Sequence, residues 1–308
     1  MREVKTQANN SFSPSATWFY HKYLAMKFIQ KLLFVLFVLG LAFGNSETTF
    51  GQKKEEEKPE FKSVFDEYKV DGTFVLYDSK EKKYMRYNRT RARQRFLPLS
   101  TFKIPNSLIA LETGVVADEN YIFKWSGEKY EIDAWNKDLN FQEALSASCV
   151  PCYQQIARSV GAKRMKSFLK KFKYGNRDIS GGIDRFWLDG GLRISADEEI
   201  EFLKRFYAGK LPVSSRSIET VKKILILEKQ TNYTLSGKTG LQLALSPTGV
   251  PQVSIPVSPK LGWFVGYLEQ NGNVYFFATN IESSNPPDNF SSARIEITKK
   301  ILKQFGLL

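Results

Sequence analysis

Ser100 and Lys103 stand three residues apart in "PLSTFKIPNSLIALETG", just ahead of an apolar helical repeat. On a helix the two lie about one turn apart, ~4.5 Å along the axis, so both side chains can enter one cleft. Such a pair can be a nucleophile with its base. A serine ahead of a helix also commonly caps orphan backbone N–H groups, with no chemistry attached. An oxyanion formed beside Ser100 would sit at a helix N-terminus, where free N–H groups and about half a positive charge stabilise it. Far downstream, Lys238-Thr239-Gly240 falls in a β-rich run, and its glycine lets a ligand approach the backbone closely.

The choice of base is narrowed by one count. The only histidine is His21, ahead of an apolar leader-like run, so a chain that loses its leader has none. Ser–His–Asp and Cys–His mechanisms and His-ligated metal sites are then excluded, which leaves Lys, Asp, Glu or Tyr. The two cysteines, Cys149 and Cys152 in "SCVPC", could be redox-active or bind metal, but no second pair exists to complete a metal site. At i, i+3 near a helix start we read them as packed thiols.

The residues fit a single globular chain with a leader. Its 308 residues are 42% hydrophobic and 25% charged, which is neither disordered nor fibrous. In "MKFIQKLLFVLFVLGLAFGNS", lysines 27 and 31 precede an apolar run from Leu32 to Gly44 and then small residues, the layout of a secretory signal. That run has 13 residues where a membrane span needs roughly 20, so we expect cleavage and no stable membrane insertion. Cleavage would follow Gly44 or fall near Gly51 or Gln52, and Met26 could be the true start. Residues 1–52 hold five basic and two acidic side chains, so the remainder keeps +10 of the +13 formal charge. This surface attracts anions in general, including small carboxylate substrates. Arg89, Arg91, Arg93 and Arg95 alternate as along one solvated strand face, with no nucleic-acid fold motif beside them.

The elements that must position Ser100 and Lys103 follow from periodicity. "GTFVLYDSKEKKYMRYN" predicts a hairpin around Asp-Ser-Lys-Glu. From Ser100 to about Leu227 the period is helical: Ile104, Leu108 and Leu111 share one face of a helix ended by Gly114, and Met165, Phe168, Leu169 and Phe172 form a second stripe ending at "YGN". Ser195 and Glu198 predict a capping box for a helix over 196–208, closed by Gly209. Strands return in "YTLSGKTG", "GWFVGYLE" and "NVYFFATNIE", the last two joined by "QNGN". A terminal helix over about 292–305 carries Ile295, Leu302 and Phe305 on one side. One α+β domain over 53–308 results, with an antiparallel sheet from about 60–99 and 230–308 and a helical part over about 100–229.

Ser-x-x-Lys followed by Lys-Thr-Gly, in a secreted chain without mature histidine, is the pattern of serine β-lactamases and penicillin-binding proteins. The sequence resembles the class D, oxacillinase-type, serine β-lactamases over nearly all of residues 60–308. The likeness rests on "STFK" at 100–103, "SCV" at 148–150, "YGN" at 174–176, "GGIDRFWL" at 181–188, "KTG" at 238–240 and Arg294. Class A is disfavoured because the second motif reads Ser-Cys-Val and not Ser-Asp-Asn.

The resemblance implies a β-lactamase/transpeptidase-like fold and a set of roles. Ser100 would attack the lactam carbonyl of a small-molecule β-lactam and form an acyl-enzyme. Lys103, carboxylated on its side-chain nitrogen by CO2, would be the general base, with no metal and no other cofactor. Carboxylation needs a neutral amine, which burial can provide by lowering a lysine pKa by up to roughly 3–5 units. Val150, Phe102, Trp187 and Leu188 would supply the apolar surroundings, with the Trp187 indole N–H donating to the carbamate. Ser148 would relay a proton to the leaving nitrogen, or else simply cap the helix near Tyr153. Lys238, Thr239 and Arg294 would hold the substrate carboxylate beside Gly240, and the N–H groups of Ser100 and Leu241 would form the oxyanion hole. Tyr174 is set outside the chemical core.

The resemblance further implies a periplasmic hydrolase. Two other readings use the same geometry: a β-lactam-sensing receptor domain that is acylated but hardly deacylates, and a penicillin-binding transpeptidase or carboxypeptidase. The 22 residues between Gly240 and Trp263, with prolines at 247, 251, 256 and 259, read as a long loop bordering the cleft and biasing substrate choice.

Overall fold

The computed structural model describes residues 21–31 and 54–308. The chain divides between Gln52 and Lys53, and the described residues before that point, 21–31, are helical. Among the described residues no helix is long and apolar enough to cross a membrane. The apolar run 32–44 and both cleavage positions of the expected leader lie outside the described residues.

Seven strands form one sheet: β1 (Lys54–Glu57), β2 (Asp71–Asp78), β3 (Lys83–Tyr87), β4 (Ile226–Lys229), β5 (Tyr233–Leu241), β6 (Lys260–Gln270) and β7 (Asn273–Ser283), in the order β1-β3-β2-β7-β6-β5-β4. The hairpin of β2 and β3 and the hairpin of β6 and β7 lie side by side, so the N-terminal and C-terminal strands meet at β2 and β7. The turn of "QNGN" places Asn271 and Gly272 at φ 51° and 70°, the left-handed geometry that asparagine and glycine tolerate. Two strands extend the sheet beyond its expected limits. β1, "KEEE", pairs parallel to β3 at the edge, and its apolar-free composition hides it from periodicity; β4 closes the other edge where helix was expected.

Because side chains alternate across a pleated sheet, each strand feeds two cores. Phe74, Leu76, Phe264, Phe277 and Ile281 pack with α1 (Lys62–Glu67) and the C-terminal helix on one face. Val75, Val265, Tyr267 and Ala278 pack with the helical region on the other. The inserted region holds α2 (Arg89–Arg93), α3 (Lys103–Glu112), α4 (Phe141–Ser146), α5 (Val150–Val160), α6 (Ala162–Phe172), α7 (Ala196–Tyr207) and α8 (Ser215–Ile224); the C-terminal helix is α9 (Phe290–Gln304). Ser195 and Glu198 form the expected reciprocal capping box of α7. α9 begins two residues earlier than expected, and its buried face includes Ala293, Ile297, Ile301 and Leu302, with Ile295 and Phe305 only half-buried.

Three readings are corrected. The arginine run is not a strand face: Asn88, at φ 54°, caps α2 by accepting from the Arg91 N–H, and the arginines diverge to separate carboxylates. Arg89 pairs with Glu55, Arg91 with Glu282 at 3.0 Å, and Arg95 with Glu198. Helix α5 starts at Val150, not near Tyr153, with Cys149 as its N-cap. Cys149 and Cys152 are not free thiols but a disulfide, their Cα atoms 5.4 Å apart because the cap residue leaves the helical path before the first turn.

At the centre of the sheet Gly237 on β5 faces Gly266 on β6. A Cβ at Gly266 would lie 2.1 Å from Ser236 O and 2.8 Å from the Phe277 ring, so only glycine lets these strands pair beside Lys238. Gly266→Ala should destabilise the protein by about 1–3 kcal/mol or more, seen as a lower midpoint in urea, with loss of the Lys238 geometry.

Candidate active site

Ser100 lies in a short 3-10 turn, Leu99–Phe102, that runs directly into α3. The turn is fixed from several sides. Leu99 takes φ 54° and donates its N–H to Trp187 O at 3.0 Å, and the Trp263 indole donates to Leu97 O at 2.9 Å. Gly240 abuts it closely: a Cβ there would lie 3.1 Å from Pro98 O and 3.3 Å from the Leu99 side chain. The room left by this glycine is therefore filled by the protein's own turn, whereas its sequence suggested a ligand's approach. That packing brings the Lys-Thr-Gly strand beside Ser100 although Lys238 lies 138 positions further along the chain.

α3 is buried on every side from Lys103 to Ala110, so it is a central helix and not the amphipathic one its pattern predicted. Its polar side chains find partners inside: Ser107 Oγ lies 2.7 Å from Tyr153 OH, and Asn106 donates to Tyr153 O. Lys103 has no exposed surface, and its Nζ lies 2.9 Å from Ser100 Oγ and 5.2 Å from the centre of the Tyr153 ring. Among the described residues no carboxylate forms an ion pair with it. Burial, reinforced by the charge of Lys238, holds its pKa well below 10.5. The Phe102 ring stacks on Trp187 with centroids 5.4 Å apart, and the Trp187 indole N–H is buried with no hydrogen-bond partner among the described residues. A buried amine whose proton affinity is lowered, with an unused buried N–H donor on Trp187, fits the carbamate that the resemblance implies on Lys103.

A cavity of about 170 Å³ opens over this pair. Ser100, Ser148, Val150, Leu188, Thr239, Leu241 and Arg294 line it, while Lys103, Trp187, Lys238 and Gly240 are buried and do not line it. Ser148, half-buried at φ 52°, lines the cavity and leaves the helix cap to Cys149. Lys238 lies on β5 and Arg294 on α9, both buried. Burial and then the Arg294 charge lower Lys238 to about 7, and burial lowers Arg294 to about 10. Two desolvated cations at one cavity make an anion site. Arg294 donates to Ser291 O through Nη1, but its Nε is buried without a partner among the described residues.

The long loop borders the cavity, as its position after Lys-Thr-Gly suggested, through Leu243, Leu245 and Pro251; Ile132 and Trp135, which also line it, carried no signal in the sequence. The long loop folds back as a small ladder of Ala244–Leu245 on Pro251–Gln252. It is tied down at both ends: Gln154 and Arg185 donate to Gly249 O and Pro247 O, and Glu131 accepts from the Val253 and Ser254 N–H groups and the Ser254 hydroxyl. The "YGN" motif is structural: Asn176 accepts from the Arg193 N–H and donates to Gly191 O, which closes the loop that carries Trp187.

The penicillin-binding protein transpeptidase domain model matches residues 72–304. The chain is 44% identical to β-lactamase OXA-48 of Klebsiella pneumoniae over 82% of its own length and 90% of the relative's. Among solved structures, the class D β-lactamase YbXI from Nostoc superposes with a TM-score of 0.74 at 43% identity, covering 82% of this chain and 100% of that one. FUS-1 (OXA-85), a class D β-lactamase from Fusobacterium nucleatum subsp. polymorphum, gives 0.74 at 38% identity, with 82% and 99% covered.

The disulfide lies behind the cavity wall, so the Cys149→Ala, Cys152→Ala double variant should keep most of its turnover while its melting point falls modestly. A folded double variant that loses several orders of magnitude of rate would show instead that the cysteines take part in the chemistry.

Proposed function

Since the chain belongs to the class D β-lactamases within the penicillin-binding protein transpeptidase family, we propose that it hydrolyses β-lactams through a Ser100 acyl-enzyme, with Lys103 as base. It is a hydrolase. The observation that carries the residue assignment is the fully buried Lys103 amine 2.9 Å from the Ser100 hydroxyl, its proton affinity lowered by burial.

Lys238, Thr239 and Arg294 hold the substrate carboxylate, which sets the lactam carbonyl beside Ser100. A bound anion also favours the protonated form of Lys238, since it supplies an opposite charge. Ser100 Oγ gives its proton to the Lys103 side and bonds to the carbonyl carbon. The oxyanion that forms accepts from the N–H groups of Ser100 and Leu241, and the start of α3 adds its positive end. As the C–N bond breaks, the proton taken from Ser100 passes from the Lys103 side through the Ser148 hydroxyl to the leaving nitrogen. Carboxylated by CO2, Lys103 supplies a carbamate able to take a proton from water, which a lysine ammonium cannot do. Trp187 donates its indole N–H to that group, while Val150, Phe102 and Leu188 keep bulk water from it.

We place the mature protein in the periplasm; the leader-like residues 27–44 and the disulfide, a bond that persists in oxidising compartments, support this.

Intact-mass analysis with a slowly released β-lactam should show one adduct that is absent from Ser100→Ala; an adduct persisting in that variant would sink the assignment. Full turnover of nitrocefin separates hydrolysis from a sensor or a transpeptidase, in which the adduct would outlive the assay. The base is tested separately. Activity should rise with bicarbonate and fall at acidic pH, and carbon-13 bicarbonate should label Lys103. Trp187→Ala should slow deacylation by about 10²–10⁴-fold, more than acylation, so that acyl-enzyme accumulates. Indifference to bicarbonate, with no label on Lys103, would leave the unmodified lysine as the base.

A further inference from the structure

Glu199 is a buried carboxyl that this chemistry does not use. It has no exposed surface; Oε1 lies 2.8 Å from Thr101 Oγ1 and 2.9 Å from Tyr174 OH, while Oε2 has no hydrogen-bond partner among the described residues. Thr101 follows Ser100 directly, and its Oγ1 is also 2.8 Å from Pro98 O. The carbonyl and an ionised carboxylate can only accept, and the threonine hydroxyl has a single proton to give. With Glu199 ionised, one of these two 2.8 Å contacts therefore sets lone pair against lone pair. A proton on Glu199 Oε1 satisfies all of them: Glu199 donates to Thr101, Thr101 donates to Pro98 O, and Tyr174 donates to Glu199.

We propose that Glu199 is held as a neutral carboxylic acid and is a positioning residue for Ser100, fixing the Pro98–Thr101 turn through this chain of protons. The same turn carries the left-handed Leu99 and abuts Gly240, so its registry sets where Ser100 stands relative to the Lys-Thr-Gly strand.

The surroundings agree. Thr101 comes from the turn, Tyr174 from the segment after α6, and the charged group acting on Glu199 is its neighbour Glu198, which Arg95 engages. Burial holds the Tyr174 phenol well above 10, so it remains a donor. Burial first, then repulsion by Glu198, raises Glu199 from 4.5 to about 7, against the opposing hydrogen bonds.

A raised carboxyl contributes stability that is complete below the unfolded value of 4.5 and is lost as pH rises through about 7. Glu199→Gln retains an N–H donor for Thr101 and cannot ionise. Melting points of the two proteins should therefore diverge with pH, the wild type losing about 5 °C relative to Glu199→Gln between about pH 4.5 and pH 7.5 and no more above it. The infrared difference spectrum of the two at about pH 5.5, above the ordinary glutamate range, should show a protonated-carboxyl band. In stopped-flow acylation, Glu199→Gln should retain most of the rate and lose an alkaline decline that wild type shows. Glu199→Ala, with no donor, should acylate about tenfold more slowly at every pH. Thr101→Val, which removes the middle link, should behave like Glu199→Ala. A melting-point difference independent of pH, or an ionised-carboxylate spectrum at that pH, would overturn the proposal. Only the kinetic measurement rests on acyl transfer at Ser100: a wild type that forms no adduct refutes that reading, and the melting and infrared results still decide the state of Glu199.

Discussion

A primary amine with no exposed surface cannot keep its charge without a partner, and Lys103 has no carboxylate paired with it among the described residues. Much of the surrounding structure follows from that constraint. α3 must be buried on every side, so its polar side chains are satisfied by Tyr153 from α5 and its apolar ones by the rest of the helical layer. Phe102 and Trp187, both fully buried, stack on each other, and the loop that carries Trp187 is closed by Asn176 and pinned to the Ser100 turn through Leu99. The result is an amine that can take a proton in a protein whose only histidine, His21, lies ahead of the leader-like run.

The cavity places opposite demands on neighbouring groups. On one side it needs a dry, neutral pocket around Lys103; on the other, Lys238 and Arg294 present two cations to an anion. Both cations are themselves desolvated, and each weakens the proton affinity of its neighbour, Arg294 acting on Lys238 and Lys238 on Lys103. An anion bound beside them would relieve this repulsion, which links anion binding electrostatically to the proton affinity of Lys103. The apolar upper wall from Leu243 to Pro251 is held by hydrogen bonds at Gly249, Pro247 and Ser254, so its shape belongs to the fold and not to an unanchored loop.

Sheet geometry decides how closely these parts meet. Gly237 and Gly266 let β5 and β6 pair without side chains between them, and Gly240 lets β5 approach the Ser100 turn. Backbone proximity of this kind is hard to read from residue type: the glycine of Lys-Thr-Gly looks like room for a ligand until Pro98 and Leu99 are seen to fill it.

The residues themselves determined a good deal. Ser-x-x-Lys, the Ser-Cys-Val and Lys-Thr-Gly motifs and the missing histidine pointed to the reaction family and to the residues proposed as nucleophile and base, because those properties depend on chemical type and local spacing. Hairpins, the α7 capping box and the order of helices were legible for the same reason, since each is written in neighbouring side chains. Tertiary structure decided what depends on distant partners. The arginine run became a short helix because Asn88 capped it and Glu55, Glu282 and Glu198 lay in three directions. The charged β1 became a strand because an edge of β3 was open to it, and the two cysteines became a disulfide because the helix cap turned one toward the other. Glu199 shows the limit most plainly. In sequence it is one of three acidic residues in the first turn of a helix, and only its burial against Thr101 and Tyr174 gives it a proton to hold.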